Sequence, residues 1–222
     1  MSGEVKRRAY DASRRRSQAV ASRARIVEAA RRRFLADGYR ATTLAAVAAD
    51  ADVSVETVYK AFRNKPGLLK AVFDVAVAGD AEPIPVMERE FVAQIDAEPE
   101  PAAKIHLYAD HLARTIPRTA EIQLLVRGTA AIDPDIGAVW RQMQDERLTG
   151  MTAFAVHLHD RGCLRDEVTA QSARDILWTY NSVEVYELLV VERGWTVERY
   201  RDFVADALVA ALLPARADPP SG

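Results

Sequence analysis

The chain has 222 residues and a formal net charge of −2, with 49% hydrophobic and 28% charged residues, a balance that excludes disordered and collagen-like classes. The near-neutral total hides a split: residues 1–70 hold 16 Lys and Arg against 7 Asp and Glu, leaving 14 against 25 for residues 71–222, so a basic head suited to a polyanion precedes an acidic body that is not. No run approaches the roughly 18 apolar residues of a membrane helix, and the single cysteine, Cys163, excludes an intrachain disulfide or a cysteine metal cluster and fits a reducing cytoplasm.

In chain order, residues 1–16 read as a mobile basic arm containing Arg14, Arg15 and Arg16. A first helix over about 17–37 places Val20, Val27, Ala30 and Phe34 on one face, and Gly38 stops it. Thr42 and Thr43 are N-cap candidates for a short helix to about Ala51. Ser54 caps another to about Phe62, and Asn64 caps a fourth with Pro66 in its first turn. Helices follow at about 86–96, 102–115 and 119–131. Asp133-Pro134 opens a long helix to about Arg161, Thr169 opens the next to about Arg193, which Gly194 stops, and Thr196 caps the last, ended by Pro214. With no strand-like alternation the class is all-α. The domains are a head at 17–64, a larger domain at 65–214 joined through the fourth helix, and a frayed tail at 215–222.

The informative stretch runs from Thr43 to Phe62. Two short helices that cross steeply need small residues at the contact and apolar anchors beneath. Ala48 and Ala51 supply the first; Val47, Val53, Val58 and Phe62 supply the second. Such a helix-turn-helix lays the segment capped by Ser54 across a DNA major groove and turns Glu56, Thr57, Tyr59 and Lys60 outward. Asp52 stands where the turn usually takes glycine, and Asp tolerates the left-handed conformation at modest cost. Glu56 either accepts from a cytosine amino group or faces solvent and repels phosphates. The arm either enters a narrow minor groove or contacts phosphates diffusely.

Residues 23–73, with Ile26-Val, Phe34, Asp37-Gly-Tyr, Thr42-Thr, Val53-Ser, Thr57-Val-Tyr, Phe62, Asn64-Lys and Leu68-Leu, resemble the DNA-binding domain of the tetracycline-repressor (TetR) family. The resemblance implies a cytoplasmic homodimer with two DNA-reading heads, released from a palindromic operator by a small-molecule effector. It also implies phosphate contacts from Thr43, Tyr59 and Lys65, with Thr57 and Lys60 reaching phosphates or base edges. The family often has a small residue where Glu56 sits and His or Tyr where Ala61 sits, so the operator sequence is not readable.

In the body, Tyr108, His111, Arg127, Trp140, Met143, Met151, Phe154, Trp178 and Asn181 offer apolar walls with a few polar groups for an effector pocket. Arg127, in a mostly apolar helix, either pairs with a carboxylate or receives an anion. Broad apolar faces on the last two helices suit a dimer interface: Ile176, Tyr180, Val183 and Leu188 on one, and Tyr200, Phe203, Val204, Ala207, Leu208 and Ala211 on the other. No histidine pair has metal-binding helix spacing, and no phosphate loop, nucleophile elbow or dinucleotide fingerprint occurs. The expectation is therefore a regulator, most simply a repressor, without enzyme activity, cofactor or membrane association. An activator of the same family and an all-α enzyme or ligand carrier with a basic head are the alternatives.

Overall fold

The structure is a computed structural model that describes residues 2–79 and 88–215, with side chains from residue 18 onward. The described residues are mostly helical, with no strand among them. In order the elements are α1 (Ser2–Ala41), α2 (Leu44–Asp50), α3 (Val55–Phe62), α4 (Lys65–Ala78), α5 (Glu90–Ala97), α6 (Pro101–Ala130), α7 (Pro134–Asp160), α8 (Ala170–Tyr180), α9 (Val183–Tyr186) running into a π-helical stretch (Glu187–Glu192), and α10 (Val197–Leu212). They form two compact units, one of Met1–Pro83 with Glu121–Val139, the other of Ile84–Ala120 with Trp140–Gly222.

The first unit is punctuated by its own side chains. Gly38, at φ 79° and ψ 167°, interrupts α1 where the stop signal stands, and the Thr42 hydroxyl donates to the Gly38 carbonyl at 2.9 Å. Thr43, Ser54 and Asn64 each accept from an amide three residues on, at 3.1, 3.2 and 2.8 Å, satisfying donors that a helix start leaves free. Between α2 and α3, Asp52 takes φ 52°. Its amide bonds Ala49 O at 3.2 Å and the Val53 amide bonds Ala48 O at 3.0 Å, a Schellman closure with Asp in the usual glycine position. Ala48 and Ala51 are buried at the crossing, over Val47, Val58 and Phe62. Ile26, Val27, Ala30 and Phe34 of α1 complete this core, while Val20 is 49% exposed and lies outside the face expected for it. Gly67 permits the tight α3–α4 joint, because a Cβ there would strike the Phe62 carbonyl.

Also in the first unit, Asp133 accepts from the Asp135 and Ile136 amides at 3.0 and 3.2 Å; in the second, Thr169 and Thr196 cap α8 and α10. Lys104 is only 2% exposed, yet its ammonium donates to the Ile95 and Asp96 carbonyls at 2.6 and 3.2 Å, where the end of α5 favours a cation.

Three expected boundaries change. The segment expected at 1–16 as a mobile arm ahead of the first helix is helical from Ser2 and continuous with α1, in keeping with its Ala, Arg and Lys content, all good helix formers. The helices expected at 102–115 and 119–131 are one helix, α6, with Pro117 inside it. Pro117 is exposed, so the carbonyl it frees can meet water. Leu112, Ile116 and Ala120, on both sides of the proline, are buried at four-residue steps, so one helical face runs past it. The helix expected over 169–193 instead breaks at Asn181-Ser182, where the Ser182 hydroxyl accepts from the Val185 amide at 3.4 Å and starts a new helix. The start expected near residue 86 lies outside the described residues.

Candidate nucleic-acid interface

Helix α3 buries Val58 and Phe62, four residues apart, so its opposite side must face out. Glu56, Thr57, Tyr59, Lys60 and Ala61 are all exposed there. Tyr59 keeps 53% of its surface exposed, a large area of aromatic surface to leave in water without a partner. Ser54 positions the first turn, with its hydroxyl 3.0 Å from that of Thr57. The Glu56 carboxyl is held below its ordinary pKa by its own backbone amide and by the Ser54 hydroxyl. Its charge is therefore engaged at the start of α3, a third use beside the cytosine and solvent alternatives.

Arg40, Thr42, Thr43, Leu44, Ala45, Val55, Tyr59, Asn64 and Lys65 line a single groove of about 440 Å³. It gathers three residues widely separated in sequence, Thr43, Tyr59 and Lys65, into one donor-rich surface. The Lys65 ammonium lies 4.2 Å from the Tyr39 ring centroid and donates to the Arg40 carbonyl at 3.3 Å. Burial lowers the Lys65 pKa while Asp133 opposes it. Burial, then Asp133 and Asp135, push the Tyr39 phenol up to about 12, so it stays protonated beneath the lysine. A hydroxyl, a phenol and an ammonium on one face can all donate to a phosphate oxygen.

Part of the basic charge of the head is used inside it. Arg25 Nε donates to Ala51 O at 3.1 Å and Arg23 to Ala61 O at 3.4 Å, at the carbonyl ends of α2 and α3, where a cation is favoured. Arg33 grips Asp50 through two bonds of 2.6 and 2.9 Å. These arginines brace the head, so the charge count alone overstates the cations offered outward. The side chains of Arg14, Arg15 and Arg16 lie outside the described residues.

Of the residues expected to line a pocket, Tyr108, Met151, Phe154 and Asn181 come together in the second unit. Tyr108 stands 5.1 Å from Phe154, ring to ring, and its hydroxyl and the Asn181 amide both reach the Met151 sulfur, at 3.2 and 3.4 Å. Trp178 joins through Arg147, whose guanidinium lies 4.2 Å from its ring centroid. Sequence reasoning missed Arg147, although a charge at the four-residue step between Met143 and Met151 was a visible signal. His111 is taken up by Phe91, stacked at 3.5 Å, and burial, then Arg114 and Arg118, lower its pKa to about 4. Met143 is buried and Trp140 half-buried on α7, while Arg127 belongs to the first unit.

The residues expected at a dimer interface divide. Val183, Tyr200, Val204 and Leu208 are at most 1% exposed; they are core of the single chain and not a surface for a second copy. Ile176, Tyr180, Ala207 and Ala211 keep part of their surface, and Phe203, Leu188 and Val191 are 38, 54 and 60% exposed. Tyr180 and Trp195 flank Phe203 at 6.2 and 5.6 Å.

Residues 26–72 match the family model for bacterial regulatory proteins of the tetR family. No curated protein matches the chain. Among solved structures, the regulator FadR from Bacillus subtilis in complex with stearoyl-CoA is 17% identical, with a TM-score of 0.66 over 84% of this chain and 97% of that one. A TetR transcription regulator from Haloarcula marismortui is 22% identical, with a TM-score of 0.61 over 86% and 98%. A protein from Saccharomonospora viridis in complex with choline is 17% identical, with a TM-score of 0.62 over 87% and 98%. Residues 26–72 are thus a TetR-family helix-turn-helix head, carried on a chain that has the fold of the TetR-type transcriptional regulators.

Proposed function

We propose that the chain is a homodimeric repressor that reads a palindromic operator through α3 and leaves it when a small molecule binds the second unit. The observation that carries the DNA half is the shared groove of Thr43, Tyr59 and Lys65 beside the exposed face of α3. Those three side chains hold phosphates, while Thr57 and Lys60 contact phosphates or base edges. Arg14, Arg15 and Arg16 add contacts to the DNA backbone, and each neutralised phosphate contributes roughly −0.9 to the slope of log affinity against log salt.

The apolar surface of Ile176, Tyr180, Leu188, Val191 and Phe203 is the face offered to a second copy. Two heads joined in this way suit half-sites about 34–36 Å apart. Choline in one similar structure and stearoyl-CoA in another support the effector half, since both ligands are held by proteins of this fold. No helix among the described residues is long and apolar enough to cross a membrane, and the similar proteins are transcriptional regulators, in line with a cytoplasmic DNA-binding role.

Selection of bound duplexes from a random pool at fixed salt tests the reading. A two-fold symmetric site is the expected outcome. Thr57→Ala with Lys60→Ala abolishes the enrichment while melting temperature and oligomeric state stay unchanged. Enrichment that survives the double substitution, or a protein that enriches nothing, removes the proposal.

A further inference from the structure

In the second unit, one knot of side chains gathers several hydrogen-bond donors with weak acceptors or none. Arg147 donates to the Trp178 carbonyl at 2.6 Å and to Gln144 Oε1 at 3.2 and 2.7 Å, so its bonds all end on neutral oxygens. Burial disfavours its charge, and the charge of Glu184 partly offsets that. Tyr108 and Asn181 both donate to the Met151 thioether, a weak acceptor. The Trp178 Nε1 and the hydroxyl of Tyr200 are buried with no hydrogen-bond partner, and Tyr200 itself is fully buried, within electrostatic reach of Tyr108. Unmet buried donors are costly and uncommon in folded proteins. Here two are unmet and two more reach the Met151 sulfur, with Asn181 also hydrogen-bonded to Tyr108, around a half-buried guanidinium.

We propose that this cluster is the polar end of the effector site and takes an organic carboxylate, whose oxygens replace the Met151 sulfur as acceptor. The inference rests on the regulator reading above and names the ligand class. A carboxylate is acceptor-only, with sites for about four donors, and it matches the fork of an arginine in shape and charge. An organic cation fits poorly, because Arg147 already occupies the Trp178 ring and repels a second positive charge. Met151 can yield, since an unbranched thioether has three rotatable bonds. Phe154, against Tyr108, supplies apolar contact for the rest of the ligand.

Calorimetric titration of the full chain, without DNA, tests this. The probes are the straight-chain carboxylates from butyrate to dodecanoate, together with phenylacetate and 2-naphthoate. Each is paired with the primary alcohol and the trimethylammonium compound of the same skeleton. At least one carboxylate binds about tenfold or more tightly than both its partners, the scale of a charge-assisted bidentate contact. Arg147→Gln erases that preference, and Tyr108→Phe weakens the same carboxylate several-fold. Should Arg147→Gln fail to fold, Arg147→Lys keeps the charge, loses the fork, and lowers the preference. A panel in which no carboxylate surpasses its alcohol, a preference for the cations, or a preference untouched by the Arg147 and Tyr108 variants overturns the proposal. Because DNA is absent, those results remove the ligand class alone, whereas failure of the operator selection removes the regulator reading.

Discussion

The head and the body meet their polar groups in opposite ways. In the head, Thr43, Ser54 and Asn64 each satisfy an amide three residues away, and Asp52 closes its turn within five residues. In the body, the polar side chains that matter reach across helices. Tyr108 on α6 and Asn181 after α8 meet at Met151 on α7, while Tyr200 on α10 finds nothing. A surface proposed to present the same side chains to a regular duplex gains from local capping, with Arg23, Arg25 and Arg33 bracing its helices from outside. The ligand response proposed for the second unit calls for groups whose partners are poor, since binding can shift a population only where the two states differ in free energy.

The sharpest way to break the contrast is to remove the core that holds the head in shape. Phe34 is fully buried and stacks on Tyr39 at 5.9 Å. Phe34→Ala costs about 3–5 kcal/mol in denaturant unfolding, and operator binding is lost with the fold. A cost near 1 kcal/mol shows that the caps, rather than the core, maintain the head. Next in size is the α3–α4 joint. Gly67→Ala brings a Cβ against the Phe62 carbonyl, and backbone cannot move aside as a flexible side chain does; stability falls by about 1–3 kcal/mol. If Gly67→Ala melts with the parent, the α3–α4 joint gives way to the added Cβ without cost.

The contrast also governs what the sequence discloses. Caps, stops and the turn are local events, so Ser54, Asn64, Gly38 and Asp52 are legible from residue type alone. The outward face of α3 follows from the spacing of Val58 and Phe62. Pro117 misleads because a proline reads as a break until one knows that its side of α6 is exposed and that both flanks bury apolar residues. Asn181-Ser182 is the opposite case: a terminal Asn and a capping Ser stand side by side, but helical periodicity continues across them and masks the break. That break brings the Asn181 amide to Met151. Tyr200 looked like interface because apolar spacing does not distinguish a face covered within the chain from one covered by a second copy.

In the body, a smaller effect tests whether an aromatic stack shields a titratable group. His111, at its ordinary pKa of about 6.5 in the unfolded chain, falls to about 4 in the fold, through burial and then Arg114 and Arg118. Between those two values the unfolded chain binds the proton and the folded chain does not, so stability falls as pH drops from 6.5 to 4 and changes no further below that. Its partial exposure limits the loss to about 1–2 kcal/mol. His111→Gln, compared with the parent by chemical denaturation across this range, flattens the slope by that amount. Parallel profiles contradict the shielding by Phe91.

The smallest effect sits at the turn itself. Asp52 holds φ 52°, which costs an L-residue about 1–2 kcal/mol in the left-handed region, less for Asp than for most. Glycine removes that strain but gives up roughly 0.5–1 kcal/mol to its freer unfolded backbone. Asp52→Gly therefore gains only a few tenths of a kcal/mol, while Asp52→Ala, with neither glycine's freedom nor the local bonding of Asp, loses about 1 kcal/mol. The two variants differ from each other more than either differs from the parent, and urea unfolding of all three resolves the order Gly, Asp, Ala. Any other order shows that the charge of Asp52, or a relaxed turn, decides its stability in place of the backbone angle. The head would then owe its outward helix to something less local than the closure at Ala48 and Ala49.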